Sequence, residues 1–399
     1  MAKLFEYSTI AGMTLKNRVI RSATHEGLGN KDGRPMTDLT DLYLKLARGG
    51  VGAIITGYAA VKGNGRTMLN MRMFDRDELI DDYKKINIQL DELGVPIINQ
   101  IAHGGGQTSK RVIGEQPAAP TKRKYPLFSS TARELTDNEI EEIINNFVLA
   151  VERSKKAGFS GVQLHAAHGY LLNQFLSPHL NMRSDRWGGN FENRFRILSE
   201  IIRRSREMVG DYPILAKISA YDGDKNGIRI DEGIKIAESL QRSGYDAIEV
   251  SCGGSEDGFN STRVPKVPIN AVLELVPWLR SLSKTQKTLM RIMGPFVIKH
   301  NFPLNNYNVD AAAHIKGNVD IPVIVVGGIR RLKDMENIIS EKKADYVSMC
   351  RPFIIEPGIV NKFKSGTQDE SKCINCGFCL MGVSATKVRC YYGKIHPVM

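Results

Sequence analysis

The sequence predicts an α/β protein, a (β/α)8 TIM barrel of residues 1–365 followed by a short cysteine-rich tail of residues 366–399. Two observations point to the barrel. Eight short β-branched runs alternate with amphipathic stretches, the order expected of a parallel sheet covered by helices. No G-x-G-x-x-G motif follows any of the runs, which counts against the dinucleotide-binding half of an open sheet. Periodicity alone does not show closure, so a doubly wound open sheet stands as the alternative.

The candidate strands are Arg18 to Ala23, Val51 to Gly57, Pro96 to Ile101, Gly161 to His165, Ile214 to Ser219, Ala247 to Ser251, Pro322 to Val326 and Asp345 to Met349. Each is a short run of Val, Ile, Leu or Ala, as strands buried on both faces require. The clearest helical stretches are Asp77 to Leu93, Asp137 to Ala157, Phe191 to Val209, Asp231 to Ser243 and Leu332 to Lys342. Asp137, Asn190 and Asp231 stand where the first turn of a helix needs a side-chain oxygen for its unpaired amides. Gly94, Gly158 and Gly244 stand where helices end and the chain turns toward the next strand.

Composition narrows the class without choosing a ligand. The 399 residues carry 42% hydrophobic and 25% charged side chains with 37 glycines, which excludes collagen-like, fibrous and wholly disordered chains. No stretch approaches the roughly 20 apolar residues of a membrane helix, and the opening residues hold no apolar export core. A cytoplasmic protein with no membrane partner is expected. Lys+Arg number 55 against 43 Asp+Glu, a formal charge of +12. The clusters Lys122-Arg123-Lys124, Arg203-Arg204 and Arg330-Arg331 are short and lie in mixed surroundings, so a solvated basic surface or an anionic small molecule explains them better than nucleic acid.

In a barrel the chemistry sits at the C-terminal ends of the strands. Those ends read Ser22-Ala23-Thr24-His25-Glu26-Gly27 after the first run, Gln100-Ile101-Ala102-His103 at the third and His165-Ala166-Ala167-His168-Gly169-Tyr170 after the fourth. Lys217 lies on the fifth, and Cys350-Arg351-Pro352 closes the eighth. Two histidines three apart could bind metal, yet no H-E-x-x-H pattern supplies the rest of a zinc site. Flanked by the Tyr170 phenol, they read as functional rather than structural residues. Gly327-Gly328 after the seventh strand, with Arg351 after the eighth, match the place where barrels bind phosphate.

The block His165 to Pro178 followed by Arg183 to Arg194 resembles the old yellow enzyme family of FMN-dependent oxidoreductases, as do Asn17-Arg18-Val19, Val325-Val326-Gly327-Gly328 and Arg351-Pro352-Phe353. The resemblance runs from about Leu4 to Pro357. It implies FMN as cofactor and NAD(P)H as reductant. Gln100 would bond the pyrimidine edge of the flavin, and Lys217 would face its N1 and C2 carbonyl. Gly327, Gly328, Cys350 and Arg351 would hold the phosphate. Ser22, Ala23 and Tyr58 would lie along the ring, Tyr58 through its main chain. His165 and His168 would polarise the carbonyl of an electron-poor alkene, and Tyr170 would protonate its α-carbon. The activity implied is ene reduction of a small molecule. A dehydrogenase or demethylase running in the oxidative direction, as in trimethylamine dehydrogenase, is the alternative. His25 resembles the dienoyl-CoA reductase and bile-acid-inducible branches, where it is expected to tune the flavin in a pH-sensitive way.

Cys373, Cys376, Cys379 and Cys390 cluster near the end of the chain, a spacing that suits metal ligation better than disulfides in a cytosolic protein. They resemble the segment that binds a [4Fe-4S] cluster in 2,4-dienoyl-CoA reductase and trimethylamine dehydrogenase, with one residue fewer between Cys376 and Cys379. Four thiolates also suit zinc, or they stay unligated. Since the chain ends at Met399, the further C-terminal domains of those relatives are expected to be absent, and a separate electron-donor flavoprotein or a homo-oligomer is an admissible partner.

Overall fold

The structure is a computed structural model and describes residues 3–254, 262–265, 269–275, 279, 281–297, 303–383 and 386–393. Its centre is a closed parallel barrel. The strands are β1 (Val19–Arg21), β2 (Ala53–Ile55), β3 (Ile97–Ala102), β4 (Gly161–Ala166), β5 (Ile214–Ser219), β6 (Ala247–Ser251), β7 (Val323–Val326) and β8 (Tyr346–Met349). Each pairs with the next, β3 with β4 through Gly161 opposite Ile98, and β8 returns to β1 through Val347 opposite Val19. That last ladder decides against the open sheet. The strands match the predicted runs to within two residues at either end.

Helices α1 (Thr37–Arg48), α2 (Ile80–Asp91), α3 (Asp137–Lys156), α4 (Phe191–Val209), α5 (Ile230–Ser243), α6 (Val309–Lys316), α7 (Leu332–Ser340) and α8 (Ile359–Lys364) follow the strands in turn. Two predicted caps shift. Thr136, not Asp137, caps α3: its hydroxyl accepts from Glu139 N–H while Glu139 returns a bond to the Thr136 amide, a capping box. Asp231 falls inside the first turn of α5, where its charge faces the helix dipole. Asn190 caps α4 as predicted.

The bottom of the barrel is stoppered. An antiparallel hairpin, Ser8–Ile10 with Met13–Leu15, brings Ile10, Met13 and Leu15 against Ile20, Ile55, Ile98, Leu215 and Ile324. The top is open but roofed in part. The long segment from Gly104 to Arg133 folds into the short strands Ala118–Ala119, Arg123–Tyr125 and Ser130–Glu134. Two other long segments between strands, Gly253 to Val267 and Lys287 to Asn318, lie partly outside the described residues.

The tail crosses the same end. Leu332 N–H donates to Asp369 O, Ser371 N–H to Arg330 O, Lys372 N–H to Glu356 Oε2 and Val388 N–H to Glu26 O, all at 2.7–3.0 Å. It therefore packs on the loops after β1, β7 and β8 rather than trailing from the barrel. Among the described residues no helix is long and apolar enough to cross a membrane.

Candidate active site

Buried polar side chains stand on four consecutive strands: Gln100 on β3, Gln163 on β4, Lys217 on β5 and Glu249 on β6. Strand register sets Gln163 opposite Gln100 and Lys217 opposite Glu249. All four are buried and joined. Gln100 Nε2 donates to Gln163 Oε1 at 2.7 Å, Gln163 Nε2 donates to Glu249 Oε2 at 3.0 Å, and Lys217 Nζ lies 3.3 Å from that oxygen. Lys217 also donates to Ser22 Oγ at 2.9 Å, and Ser348 Oγ donates to the other Glu249 oxygen at 2.7 Å. Burial alone would raise the Glu249 carboxyl, but Lys217 and the surrounding hydroxyl and amide donors outweigh it and hold it below the ordinary value.

Above this floor lies a cleft of about 250 Å³. Ala23, His25, Tyr58, Gln100, His165, His168, Tyr170, Lys217, Gly327, Gly328, Cys350 and Arg351 all line it. Ser22 does not; its side chain is buried beneath, where it fixes Lys217. Three polar atoms of the lining residues, Gln100 Oε1, His165 Nδ1 and Arg330 Nε, are buried without a partner. Unpaired buried acceptors and donors are costly, and a bound molecule, ion or water is a reason to keep them.

One wall is a run of rings. His165 stands edge-on to His168 and to Tyr170 with centroids at 5.1 and 4.8 Å. Tyr170 Oη donates to Tyr58 Oη at 3.2 Å, and the Tyr58 ring stacks on His25 at 5.2 Å. Tyr58 thus enters the cleft with its side chain. His168 adopts φ +60°, a left-handed conformation that costs a non-glycine residue about 1–2 kcal/mol. The structure holds it there: His168 N–H donates to Ser219 Oγ at 3.0 Å, Gln107 Nε2 donates to His168 O at 2.7 Å, and Nε2 pairs with Ser251 Oγ at 2.7 Å.

Burial drives every titration in this wall toward the neutral form. It takes His168 down to about 3 with help from Lys217, and it carries His165 well below the ordinary imidazole value, aided by His168 and Lys217. It raises the Tyr170 phenol well above its usual range. Near neutral pH the wall therefore offers neutral imidazoles and a protonated phenol. His25 is also lowered, chiefly by burial, so its titration moves toward acid and away from the physiological window the sequence suggested. His103 points elsewhere: its Nδ1 accepts from Gly105 N–H at 3.1 Å and its Nε2 pairs with Asn64 Oδ1, an interior structural role.

At the far end, Gly328 has φ +71°, and a Cβ there would sit 2.2 Å from Leu304 O. Only glycine lets the chain turn over Leu304 and line the cleft. Arg351 Nη1 donates to Arg263 O and Asn375 O at 3.2 and 3.3 Å, tying β8 to the tail. The tail supplies Asn375, Gly377, Cys379, Leu380, Val383 and Val388 to the cleft itself. Asn70 joins it to the ring wall, its Oδ1 pairing with His25 Nε2 at 3.3 Å while its Nδ2 donates to Val383 O at 2.8 Å.

All four tail cysteines line one smaller cavity of about 20 Å³, next to Arg351. Among the described residues no three His, Cys, Asp or Glu side chains gather closely enough to hold a single metal ion. Sequence reasoning missed Gln163, Glu249, Ser251 and Asn70. The first two had a readable signal, a polar residue within a mostly apolar strand; the others did not.

The family model described as "NADH:flavin oxidoreductase / NADH oxidase family" matches residues 3–254 and 279–370. The chain is 36% identical over 383 residues to an NADH oxidase of Thermoanaerobacter brockii, covering 95% of this chain and 53% of that protein. It is 31% identical over 359 residues to an NADPH dehydrogenase of Listeria welshimeri, covering 90% of this chain and 93% of the relative. A solved 2-naphthoyl-CoA reductase shares the fold with a TM-score of 0.82 at 23% identity, over 96% of this chain and 56% of that one. The chain thus spans about half the length of the first and third of these. With the closed barrel, the polar floor and the ring wall in place, the match over most of the sequence settles the family: this chain belongs to the NADH:flavin oxidoreductases, the FMN-dependent enzymes of old yellow enzyme type.

Proposed function

We propose that the chain is an FMN-dependent NAD(P)H oxidoreductase that reduces a carbon–carbon double bond conjugated to a carbonyl. The observation that carries the reading is the pair of neutral histidines beside a protonated phenol, set above a floor with one unused amide acceptor and a buried cation.

The residues fit FMN. Gln100 Oε1 lacks a partner and would accept from the pyrimidine edge; Lys217 would stabilise negative charge on the ring. Gly327, Gly328, Cys350 and Arg351 would hold the phosphate, with Ala23 and Tyr58 along the ring. When bound, FMN supplies the hydride carried from nicotinamide to alkene. His165 and His168 would donate hydrogen bonds to the substrate oxygen, and being neutral they suit a ketone, ester or thioester carbonyl better than a carboxylate. Tyr170 would deliver its proton to the carbon beside that carbonyl. Anaerobic NAD(P)H is expected to bleach the yellow protein, and a cyclic enone to restore its colour. Persistence of the bleached form with every enone tried would overturn the reading.

The cysteine tail favours a second reading, an oxidative dehydrogenase that passes electrons to a cluster and on to a separate flavoprotein. Four cysteines line one cavity, the residue type that a [4Fe-4S] cluster or zinc takes, although among the described residues no three of them gather closely enough to hold a single metal ion. Protein purified without air is expected to contain iron and acid-labile sulfide in equal amounts; stoichiometric zinc without sulfide would replace the cluster by a structural metal.

A further inference from the structure

Glu249 takes no part in that reading, although it is a fully buried charge at the centre of β6. A carboxylate can only accept hydrogen bonds. Gln163 must therefore turn its NH2 toward Glu249 Oε2, at 3.0 Å, and its own Oε1 is left to accept from Gln100 Nε2 at 2.7 Å. The same rule then reaches Gln100. With Nε2 committed, its remaining polar atom is Oε1, the buried acceptor without a partner. In the other direction Glu249 sits 3.3 Å from Lys217 Nζ, so the cation beneath the cleft is balanced by an anion in the neighbouring strand. Ser348 Oγ donates to Glu249 Oε1 at 2.7 Å, which keeps the carboxylate from turning away.

We infer that Glu249 is a positioning residue with two separable effects. Through Gln163 it fixes the orientation of the Gln100 amide, with Oε1 as the end left to accept, and through Lys217 it restrains the positive charge that the cofactor meets. An amide chain has no intrinsic direction, since each amide can present either end. One acceptor-only group at its root gives it one. The inference rests on the reading that FMN occupies this cleft.

Two variants separate the effects. In Gln163→Leu the relay is cut while the Lys217–Glu249 pair stays. In Glu249→Gln the relay loses its direction and Lys217 loses its counter-charge. The full-length chain is stripped of flavin and titrated with FMN by fluorescence quenching, and the midpoint potential of each reconstituted protein is measured by dye equilibration. Both variants are expected to raise the Kd for oxidised FMN about tenfold or more, the worth of one buried hydrogen bond set wrong. The potential should stay at the wild-type value in Gln163→Leu and rise in Glu249→Gln, because removing an anion favours the more negative reduced cofactor. General damage to the barrel would lower affinity without that split. Glu249→Asp, still acceptor-only and charged, should keep the wild-type potential. If Glu249→Gln fails to fold, the Gln163→Leu titration still decides the relay. Wild-type protein that binds no FMN would remove the flavin reading itself. Wild-type protein that binds FMN, with unchanged Kd in Gln163→Leu and Glu249→Gln or no rise in potential in the latter, would overturn this inference alone.

Discussion

Tyr170→Phe is expected to slow alkene reduction by about 10²- to 10⁴-fold, the usual worth of a positioned general acid, while reduction of the flavin by NAD(P)H proceeds at the wild-type rate. The substitution removes only the hydroxyl. The ring still packs edge-on to His165 at 4.8 Å and against Tyr58 at 5.2 Å, so the wall keeps its shape. What disappears is the proton that burial keeps on the phenol far above neutral pH. Stopped-flow absorbance follows the two half-reactions separately. Equal slowing of both would point to a damaged cleft, and wild-type alkene reduction would assign the proton to another group, of which Tyr58, 3.2 Å away, is the nearest candidate.

Acid is expected to unfold the chain at a mild pH. His103 and His168 are both held near 3 by burial, against an ordinary 6.5. Between those values the unfolded chain takes up protons that the folded chain refuses, so stability falls as pH drops through this window and levels off near 3. At pH 4.5 the loss is on the order of 2–3 kcal/mol per imidazole, and roughly 5 kcal/mol for the two together. That rivals the whole stability of many domains, about 5–15 kcal/mol. Glu26 and Glu249, both held below the ordinary carboxylate value against the pull of burial, add to the loss as pH falls further. Urea midpoints at pH 7 and pH 4.5 test this directly. Equal midpoints would mean that the imidazoles are already protonated in the folded chain, and the neutral donors of the ring wall would go with them.

How much of this was legible beforehand depends on where the information resides. Buried parallel strands announce themselves as short apolar runs, and eight of them were found within two residues of their ends. The ring wall was legible because its members are close in sequence, His165, His168 and Tyr170, and follow one strand. The floor was harder. Gln163 and Glu249 lie 86 positions apart on strands that do not pair with each other, and their hydrogen bond exists only because both side chains meet inside the closed barrel. Reading each strand for its apolar content hid these residues. Tyr58 was assigned by analogy with smaller residues, and its phenol took a place in the cleft beside Tyr170 that analogy could not supply. The path of the tail was not legible at all. Its course is set by partners such as Asn70, Arg330 and Glu356, scattered over three loops, and no local pattern in the tail encodes them.

The hairpin that stoppers the barrel has a kinetic consequence. With Ile10, Met13 and Leu15 filling the lower end, the barrel is a dead end reached from one side. On the proposed function, donor and acceptor would queue at the same opening, and the first product would leave before the second substrate enters. Congestion is then expected to limit throughput at both extremes: a crowd of nicotinamide would delay the alkene, and a crowd of alkene the nicotinamide.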